Sequence, residues 1–515
     1  MKKTLSEIKS ALMEKYTDSE VVFGKYMDKV FELFEDEFQV SEAFYYFNKD
    51  KRVSINKNKQ NRKRVAADEA HIATQFFTPK WLVQYVSDNS LGRFLKGAPL
   101  RFFHGDTNTI RQKDDIKILD PAVGTGNMLI YAYELLENYY RTKGMAEDKI
   151  PPKILSCFYG LDIDKKAVDV AKRLLMRKAG VEKFDFHIYH FESVSPILLQ
   201  KVRDLKLKKL LGLFEHWNKY KEAGSLIKIE EDLTKELKLL KKHIHSSEEK
   251  NIIEIINILS QKYDVTLMNP PYLSSSDFSF NLKEYIYQNY NDYKADLFSC
   301  FIKRGLKLMK ENGYMGVVCP YNWMFIKTFS QLRKYIIENK GLYNLMQLNC
   351  GGYDKAVVYL SAFVVGDKKP TDGYYIRLSD FKAKNQKEMA LRAIDNPPYV
   401  YKKNQDVFLK TPNYAIIYWT SESFLNNFHY KKLSDYLEIR QGMATGDNKR
   451  FLSKVEKVDK NKICFHAKSL EDFDKSNKIY APYNKGGKYR KWWGNRDYVI
   501  KFDKASREVL SCQGN

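Results

Sequence analysis

Asn269, Pro270, Pro271 and Tyr272 set an amide, two prolines and an aromatic directly after the apolar run Tyr263 to Met268. The run reads as a buried strand stopped by its proline pair. The Asn269 side-chain oxygen and the Pro270 carbonyl are both acceptors, and the first proline fixes the chain locally. Together they could hold both hydrogens of an exocyclic amine, with Tyr272 stacked on the ring that bears it. An arylamine is a poor nucleophile because its lone pair is delocalised into the ring. Two acceptors that draw the amine toward tetrahedral geometry free that lone pair. The competing reading is an ordinary loop with a Pro-Pro stop.

A second constellation is the run DPAVGTGN at 120–127, and a third is GLDID at 160–164. Glycines at a strand-to-helix turn let a ligand approach the backbone closely. The run is not GxGxxG, and it lacks the Lys and Ser/Thr of a phosphate-binding loop, so a pyrophosphate cradle is disfavoured. The Asp120 carboxylate instead suits an amino-bearing or cationic ligand. Asp162 suits ribose hydroxyls, by the logic of dinucleotide folds. Acids at two strand ends and the Asn-Pro-Pro-Tyr turn at another read as an S-adenosylmethionine pocket facing an amine-bearing base.

The elements that must position these residues alternate. Strands are expected at 116–119, 158–163, 186–189, 263–268 and 314–319, and helices at 127–140, 165–178 and 295–310. Such alternation predicts an α/β parallel sheet with ligands at the strand C-termini. Thr78 and Pro79 read as the N-cap and first-turn proline of a helix. Residues 1–70 show helical periodicity, and a basic stretch over 49–64 reads as a solvated loop. An insertion at about 200–260 is rich in Lys, Leu and Glu; it reads as a helical hairpin for packing or partners, without chemistry. After about 370 short strands are expected at 375–378, 415–419 and 436–441. Over 480–497, Lys485, Lys488, Arg490 and Lys491 alternate with aromatics including Trp492, a composition that suits a nucleic-acid surface. An aromatic-rich β edge is the plainer alternative.

The 515 residues imply two to four domains. Lys and Arg outnumber Asp and Glu by 87 to 64, which favours a polyanionic partner, nucleic acid ahead of membrane. No run has transmembrane length, and no secretory signal opens the chain. The six cysteines are scattered, without CxxC or metal spacing, which suits a reducing cytoplasm and no structural metal.

Thr78-Pro79, the glycine run, Asp162 and Asn269 to Tyr272, in that order, resemble the γ-arrangement amino-methyltransferases. The segments QFFTPKW (75–81), NSLGR (89–93), YGLDID (159–164), YKADLF (293–298) and YNKGGKYRKWWGN (483–495) resemble the PglX family. These are adenine-specific DNA methyltransferases of BREX phage-defence systems, and the likeness runs from about 70 to the end of the chain. It implies a Rossmann-like methyltransferase sheet with a terminal antiparallel strand, an N-terminal helical region over 1–70, a catalytic domain over 71–370, and the start of a β-rich recognition region over 371–515. It implies S-adenosylmethionine as methyl donor, N6 of a flipped adenine in double-stranded DNA as acceptor, and other phage-defence proteins as partners. Carried over residue by residue, Thr78, Asp120, Gly124 and Gly126 hold the methionine end and Asp162 the ribose. Phe298 packs on the cofactor adenine. Asn269 and Pro270 bind N6, Pro271 completes the catalytic motif, Tyr272 stacks on the base, and Tyr353 is a second stacking aromatic. Glu192 stands where family members carry a shorter acid or amide against the cofactor adenine. Ending at Asn515, the chain stops inside what resembles the opening of the recognition region, as expected of a C-terminally truncated relative. Two alternatives stay open: an RNA or glutamine N-methyltransferase, and a DNA-binding scaffold with a silent site.

Overall fold

In a computed structural model the described residues are 1–48, 76–95, 102–103, 115–349, 359–382, 385–395, 399–438, 443, 445–487, 489–492 and 494–512. They form two compact units, Met1–His429 and Tyr430–Asn515.

The first unit is built on nine strands: β1 (Ile118–Asp120), β2 (Phe158–Asp162), β3 (His187–His190), β4 (Tyr263–Met268), β5 (Met309–Pro320), β6 (Gly341–Gln347), β7 (Leu360–Gly366), β8 (Gly373–Arg377) and β9 (Val400–Lys403). Their order is β3-β2-β1-β4-β5-β7-β6-β8-β9. From β3 to β5 all neighbours are parallel, and β7 inserts antiparallel between β5 and β6. The α/β class and the parallel run are as expected, but the reversed strand is not terminal: β6, β8 and β9 continue the sheet beyond it. β1 and β4 are buried throughout, as central strands covered on both faces must be. Along β4, Val265 and Leu267 enter one core and Met268 the other, following the two-residue period of a strand.

One face carries the N-terminal helices α1 (Lys2–Lys15), α2 (Ser19–Leu33) and α3 (Glu37–Phe47) with α4 (Lys80–Ser87), α5 (Asn127–Thr142) and α6 (Lys165–Ala179). The starts of these helices are written locally. Asp18, Asp36 and Asp164 each accept two backbone N–H groups at the first turns of α2, α3 and α6. The other face carries the insertion helices α7 (Pro196–Asp204), α8 (Lys208–Lys219), α9 (Thr234–Leu240) and α10 (Ser247–Ser260), with α11 (Leu297–Leu308) and α12 (Ser330–Asn339).

Several expectations differ from the structure. The insertion is four helices and a 3-10 turn, Lys221–Leu226, not one hairpin. Residues 415–419 form no strand, and neither do 436–438; Ile416 instead donates its backbone N–H to the Met324 carbonyl at 3.0 Å. The compact units divide after residue 429, not at 370, because β8 and β9 pair into the main sheet. Likewise α1 to α3 are part of the first unit rather than a body ending at 70. The basic stretch over 49–64 lies outside the described residues.

The second unit holds a small antiparallel sheet of β10 (Leu452–Lys454), β11 (Tyr480–Tyr483) and β12 (Tyr498–Lys501), with β12 in the middle. Phe451, Ile500 and Leu510 form its small core.

Candidate active site

The strand ends β1, β2 and β4 open onto one cavity, with ≈ 1160 Å³ of unfilled space, part of it open to solvent. Thr78, Asp120, Gly124, Asp162, Asn269 and Pro271 all line it. A parallel sheet places its ligand site there because the loops leaving adjacent strand ends splay apart.

Asn269 follows the last residue of β4, and its side-chain amide is held at both ends. Nδ2 donates to Thr78 Oγ1 at 2.9 Å and to the Phe76 carbonyl at 3.3 Å. Oδ1 accepts from the Tyr272 hydroxyl, which also reaches the Val318 carbonyl at 3.2 Å. An amide nitrogen brings two donors and its oxygen two acceptor sites. Both donors are spent on the segment before α4, so the orientation of the amide is set. The Tyr272 hydroxyl takes one acceptor site on Oδ1, which leaves a second for an incoming N–H. Thr78 is therefore not the expected N-cap. Pro79 occupies that position without a side-chain bond, and the Thr78 hydroxyl serves Asn269.

Asp120 is 1% exposed, and its Oδ1 accepts the Ala122 backbone N–H at 3.1 Å. Burial first, and then the charge of Asp162, hold its carboxyl well above the usual range. Asp162 accepts the backbone N–H groups of Gly124 at 2.8 Å and Asp164 at 2.9 Å. Burial pushes it up to about 6, and the neighbouring Asp164 adds to this. Asn127, at the start of α5, also lines the cavity, and its buried Oδ1 has no hydrogen-bond partner among the described residues. A buried acceptor without a donor is costly. A ligand amine in the cavity would satisfy it. Two carboxylates and an orphan carbonyl thus offer acceptors and negative charge, as a cationic, hydroxyl-bearing ligand such as S-adenosylmethionine requires.

The two glycines of the turn do different work. Gly124 faces the cavity at φ +51°, and a Cβ there would lie 2.6 Å from the Tyr45 hydroxyl oxygen. Gly126, at φ +85°, does not line the cavity; a Cβ there would meet the Ala171 Cβ of α6 at 3.2 Å. It permits helix packing rather than ligand approach.

Residues from three segments that sequence reasoning left out complete the wall. Tyr45 of α3 lines the cavity, and burial pushes its hydroxyl up to about 12. Beside it, Ser41 and Thr125 share a 2.5 Å hydrogen bond between their hydroxyls. Phe76 lines the cavity and stacks on Tyr272, with centroids 5.5 Å apart and 21° between planes. From the insertion, Glu222, Ala223, Gly224 and Ser225 also line it, and Ser225 Oγ donates to the Pro121 carbonyl at 2.6 Å. The insertion thus lines the cavity, where a role in packing or partner contact without chemistry was expected. The signal available was Gly224, an isolated glycine that sits at φ +50° against Ile163.

Two expected cofactor residues point elsewhere. Phe298 is fully buried and stacks on Phe329 at 5.2 Å. Leu297 and Phe301, one helical turn apart on α11, line the cavity instead. Glu192 is not among the lining residues. Its carbonyl accepts from Trp217 Nε1 at 2.9 Å, and burial raises its carboxyl above the usual range. Tyr353 lies outside the described residues.

In the second unit, Tyr489 and Trp492 are 86% and 91% exposed. Lys485 Nζ sits 4.7 Å over the Tyr498 ring, and Lys491 Nζ 5.3 Å over that of Trp492. Arg490 pairs with Asp497 at 3.0 Å. Lys488 lies outside the described residues.

Residues 62–203 match the N-6 DNA Methylase family, and residues 156–353 match the Eco57I restriction-modification methylase family. The chain is 29% identical over 571 residues to the adenine-specific methyltransferase PglX of Lacticaseibacillus casei (strain Zhang), covering 95% of this chain and 46% of that protein. It is 26% identical over 542 residues to the adenine-specific methyltransferase BrxX of Escherichia coli O9:H4 (strain HS), covering 90% of this chain and 44% of that one. The chain therefore spans under half the length of these curated relatives. Among solved structures, a DrdV–DNA complex is similar at a TM-score of 0.48 and 14% identity, covering 76% of this chain and 35% of that chain. The resemblance to PglX read from the motifs is borne out.

Proposed function

We propose that this chain transfers a methyl group from S-adenosylmethionine to N6 of adenine in double-stranded DNA, within a phage-defence or restriction-modification system. The observation that carries the reading is the fixed amide of Asn269, held by Thr78 and Phe76 with an acceptor site on Oδ1 to spare, in the cavity that Asp120 and Asp162 also line. S-adenosylmethionine, when bound, supplies an electrophilic methyl on a sulfonium centre. Asp162 accepts the ribose hydroxyls. Asp120, the Gly124 backbone and Asn127 Oδ1 hold the amino-acid end. Asn269 Oδ1 and the Pro270 carbonyl accept hydrogen bonds from the two N6 hydrogens and localise the amine lone pair; the methyl leaves S-adenosylhomocysteine behind, and the methylated nitrogen then loses one proton to water. Positioning then does most of the catalysis, and no prior deprotonation is needed.

The target adenine must leave the duplex, at a cost of a few kcal/mol. Tyr272 stacks on it, and the base takes the place of Phe76 against that ring; Tyr353 is the second aromatic. Lys485, Lys488, Arg490, Lys491 and Trp492 contact DNA by charge and stacking. Among the described residues no helix is long and apolar enough to cross a membrane. The cytoplasm, where DNA and the partner defence proteins reside, is the place of action.

The test is methyl transfer from labelled S-adenosylmethionine to duplex DNA by the full chain and by Asn269→Ala, with cofactor affinity measured by calorimetry on both. N6-methyladenine is expected from the unmodified chain alone, with equal cofactor affinities. Label that appears in RNA or in protein glutamine instead would overturn the acceptor. Equal DNA methylation by the variant would overturn the site.

A further inference from the structure

A second cavity lies on the far side of the wall that bounds the first. It has ≈ 700 Å³ of unfilled space, part of it open to solvent. Lys228, Lys262, Lys303, Arg304 and Lys307 line it, with Glu230 as the acid among the lining residues. Glu230 is exposed and 4.0 Å from Lys228. None of the other four cations has a carboxylate within salt-bridge distance among the described residues.

Arg304 is buried, Lys228 and Lys303 are half-buried, and Lys262 and Lys307 are exposed. Arg304 is 7% exposed, and its guanidinium donates to the backbone carbonyls of Ser225, Ile227 and Leu259 at 3.3, 3.0 and 2.9 Å. These bonds fix its position without cancelling its charge. Lys228 Nζ donates to the Asn289 carbonyl at 2.9 Å, and Lys262 Nζ to the Lys307 carbonyl. Lys303 Nζ lies 3.0 Å from the Tyr335 ring centroid on α12 and 5.2 Å from that of Tyr293. Burial draws Lys303 down to about 8, and Lys307, Lys228 and Lys340 act in the same direction, against Asp292. Like charges gathered at a partly enclosed cavity repel one another and destabilise the fold around them. A multivalent anion is the ligand that removes the repulsion.

We propose that this cavity binds an oligophosphate anion, at a site separate from the cofactor cavity. The two share walls. Ala223, Gly224 and Ser225 face the first while Lys228 and Glu230 face the second, and α11 presents Leu297 and Phe301 to one and Lys303, Arg304 and Lys307 to the other. The site does not depend on the methyl-transfer reading, because it rests on charge and shape alone.

The test uses the full chain, with inorganic tripolyphosphate as probe and calorimetry as readout. Binding at one site per chain is expected. The double variant Lys303→Met, Lys307→Met should bind at least tenfold more weakly, and Lys262→Met, a substitution outside α11 that removes one contact to it, the Nζ bond to the Lys307 carbonyl, should weaken binding as well. An intact thermal transition for each variant excludes misfolding as the cause. ATP in place of tripolyphosphate distinguishes the source: tighter binding marks a nucleoside oligophosphate, and equal binding the phosphate chain alone. Saturating S-adenosylmethionine should leave tripolyphosphate bound. Unchanged affinity in both variants would overturn the proposal. So would displacement by S-adenosylmethionine, which puts the anion in the first cavity, or stoichiometric displacement by a short duplex, which makes the site a DNA backbone contact.

Discussion

Replacing Thr78 by valine separates two roles that its position allows. Thr78 is 4% exposed, and its hydroxyl accepts the Asn269 amide at 2.9 Å; the remaining acceptor, the Phe76 carbonyl, is at 3.3 Å. Valine has nearly the same volume, so no cavity opens. The change removes one hydrogen bond, about 0.5–1.5 kcal/mol net. The amide keeps only its longer bond, and Oδ1 is held toward the acceptor amine less firmly. With about 1.4 kcal/mol per factor of ten, kcat should fall roughly two- to tenfold. Cofactor affinity should stay within about twofold, because the carboxylates of Asp120 and Asp162 are untouched. Thr78→Ser, which keeps the hydroxyl, should recover the rate. Single-turnover methyl transfer at saturating DNA, beside calorimetric titration of S-adenosylmethionine, measures both quantities. A valine variant with the full rate and a tenfold weaker cofactor would refute the argument. Thr78 would then bind the methionine end, as the family resemblance alone implies.

Asp162→Ala should weaken cofactor binding by about 1–3 kcal/mol, the range for hydrogen bonds to a charged acceptor, and equal affinity would place the ribose elsewhere. The same carboxylate gives a pH test. Its folded value of about 6 lies above the ordinary value of about 3.9, so the native apo state takes up a proton that the unfolded chain does not. The destabilising share of Asp162 is therefore present at pH 7 and relieved as pH falls through 6. Cofactor affinity moves the other way: it should drop by about tenfold per pH unit below 6, and Asp162→Asn should flatten that profile. Gly124→Ala should cost about 1–3 kcal/mol, seen as a lower thermal midpoint, because φ is positive and a Cβ would lie 2.6 Å from the Tyr45 hydroxyl oxygen, which would have to shift. Neutralising Lys485, Arg490 and Lys491 should flatten the salt dependence of duplex binding, with the slope falling by up to about 0.9 for each phosphate that is no longer neutralised. A salt slope equal to that of the unmodified chain would make the segment scaffold.

The motifs legible in the sequence are those in which one short run supplies both the element and the chemistry. Asn269 to Tyr272 follows a strand whose six residues are all buried, and Asp120 and Asp162 end apolar runs that the structure pairs as neighbouring parallel strands. The parts that are not legible come together across long separations. The Ser41–Thr125 bond spans 84 residues, and Ser225 reaches Pro121 across 104; no local period announces either. The expectation for Phe298 is off by one helical step. Leu297 and Phe301 share a stripe at four-residue spacing, and Phe298, rotated about 100° from Leu297, turns into the core. Residues 415–419 have strand composition but form no strand; Ile416 makes a single backbone bond to Met324, and Tyr418 donates its hydroxyl to Gln347 at 3.0 Å.

The joining of β8 and β9 to the main sheet bears on how such genes recombine. A crossover near residue 370 would exchange β8 and β9 along with everything downstream. It would also exchange Gln405, whose side chain accepts from Leu342 at 2.6 Å and donates to Ile337 and Lys340. If the incoming segment failed to match, β6 would become an open edge carrying Leu345 and Met346, a template for aggregation. A crossover at 429/430 leaves every pairing of the nine-stranded sheet within one parent. Viable chimaeras among relatives should therefore have breakpoints clustered after residue 429 and sparse across the roughly sixty positions before it.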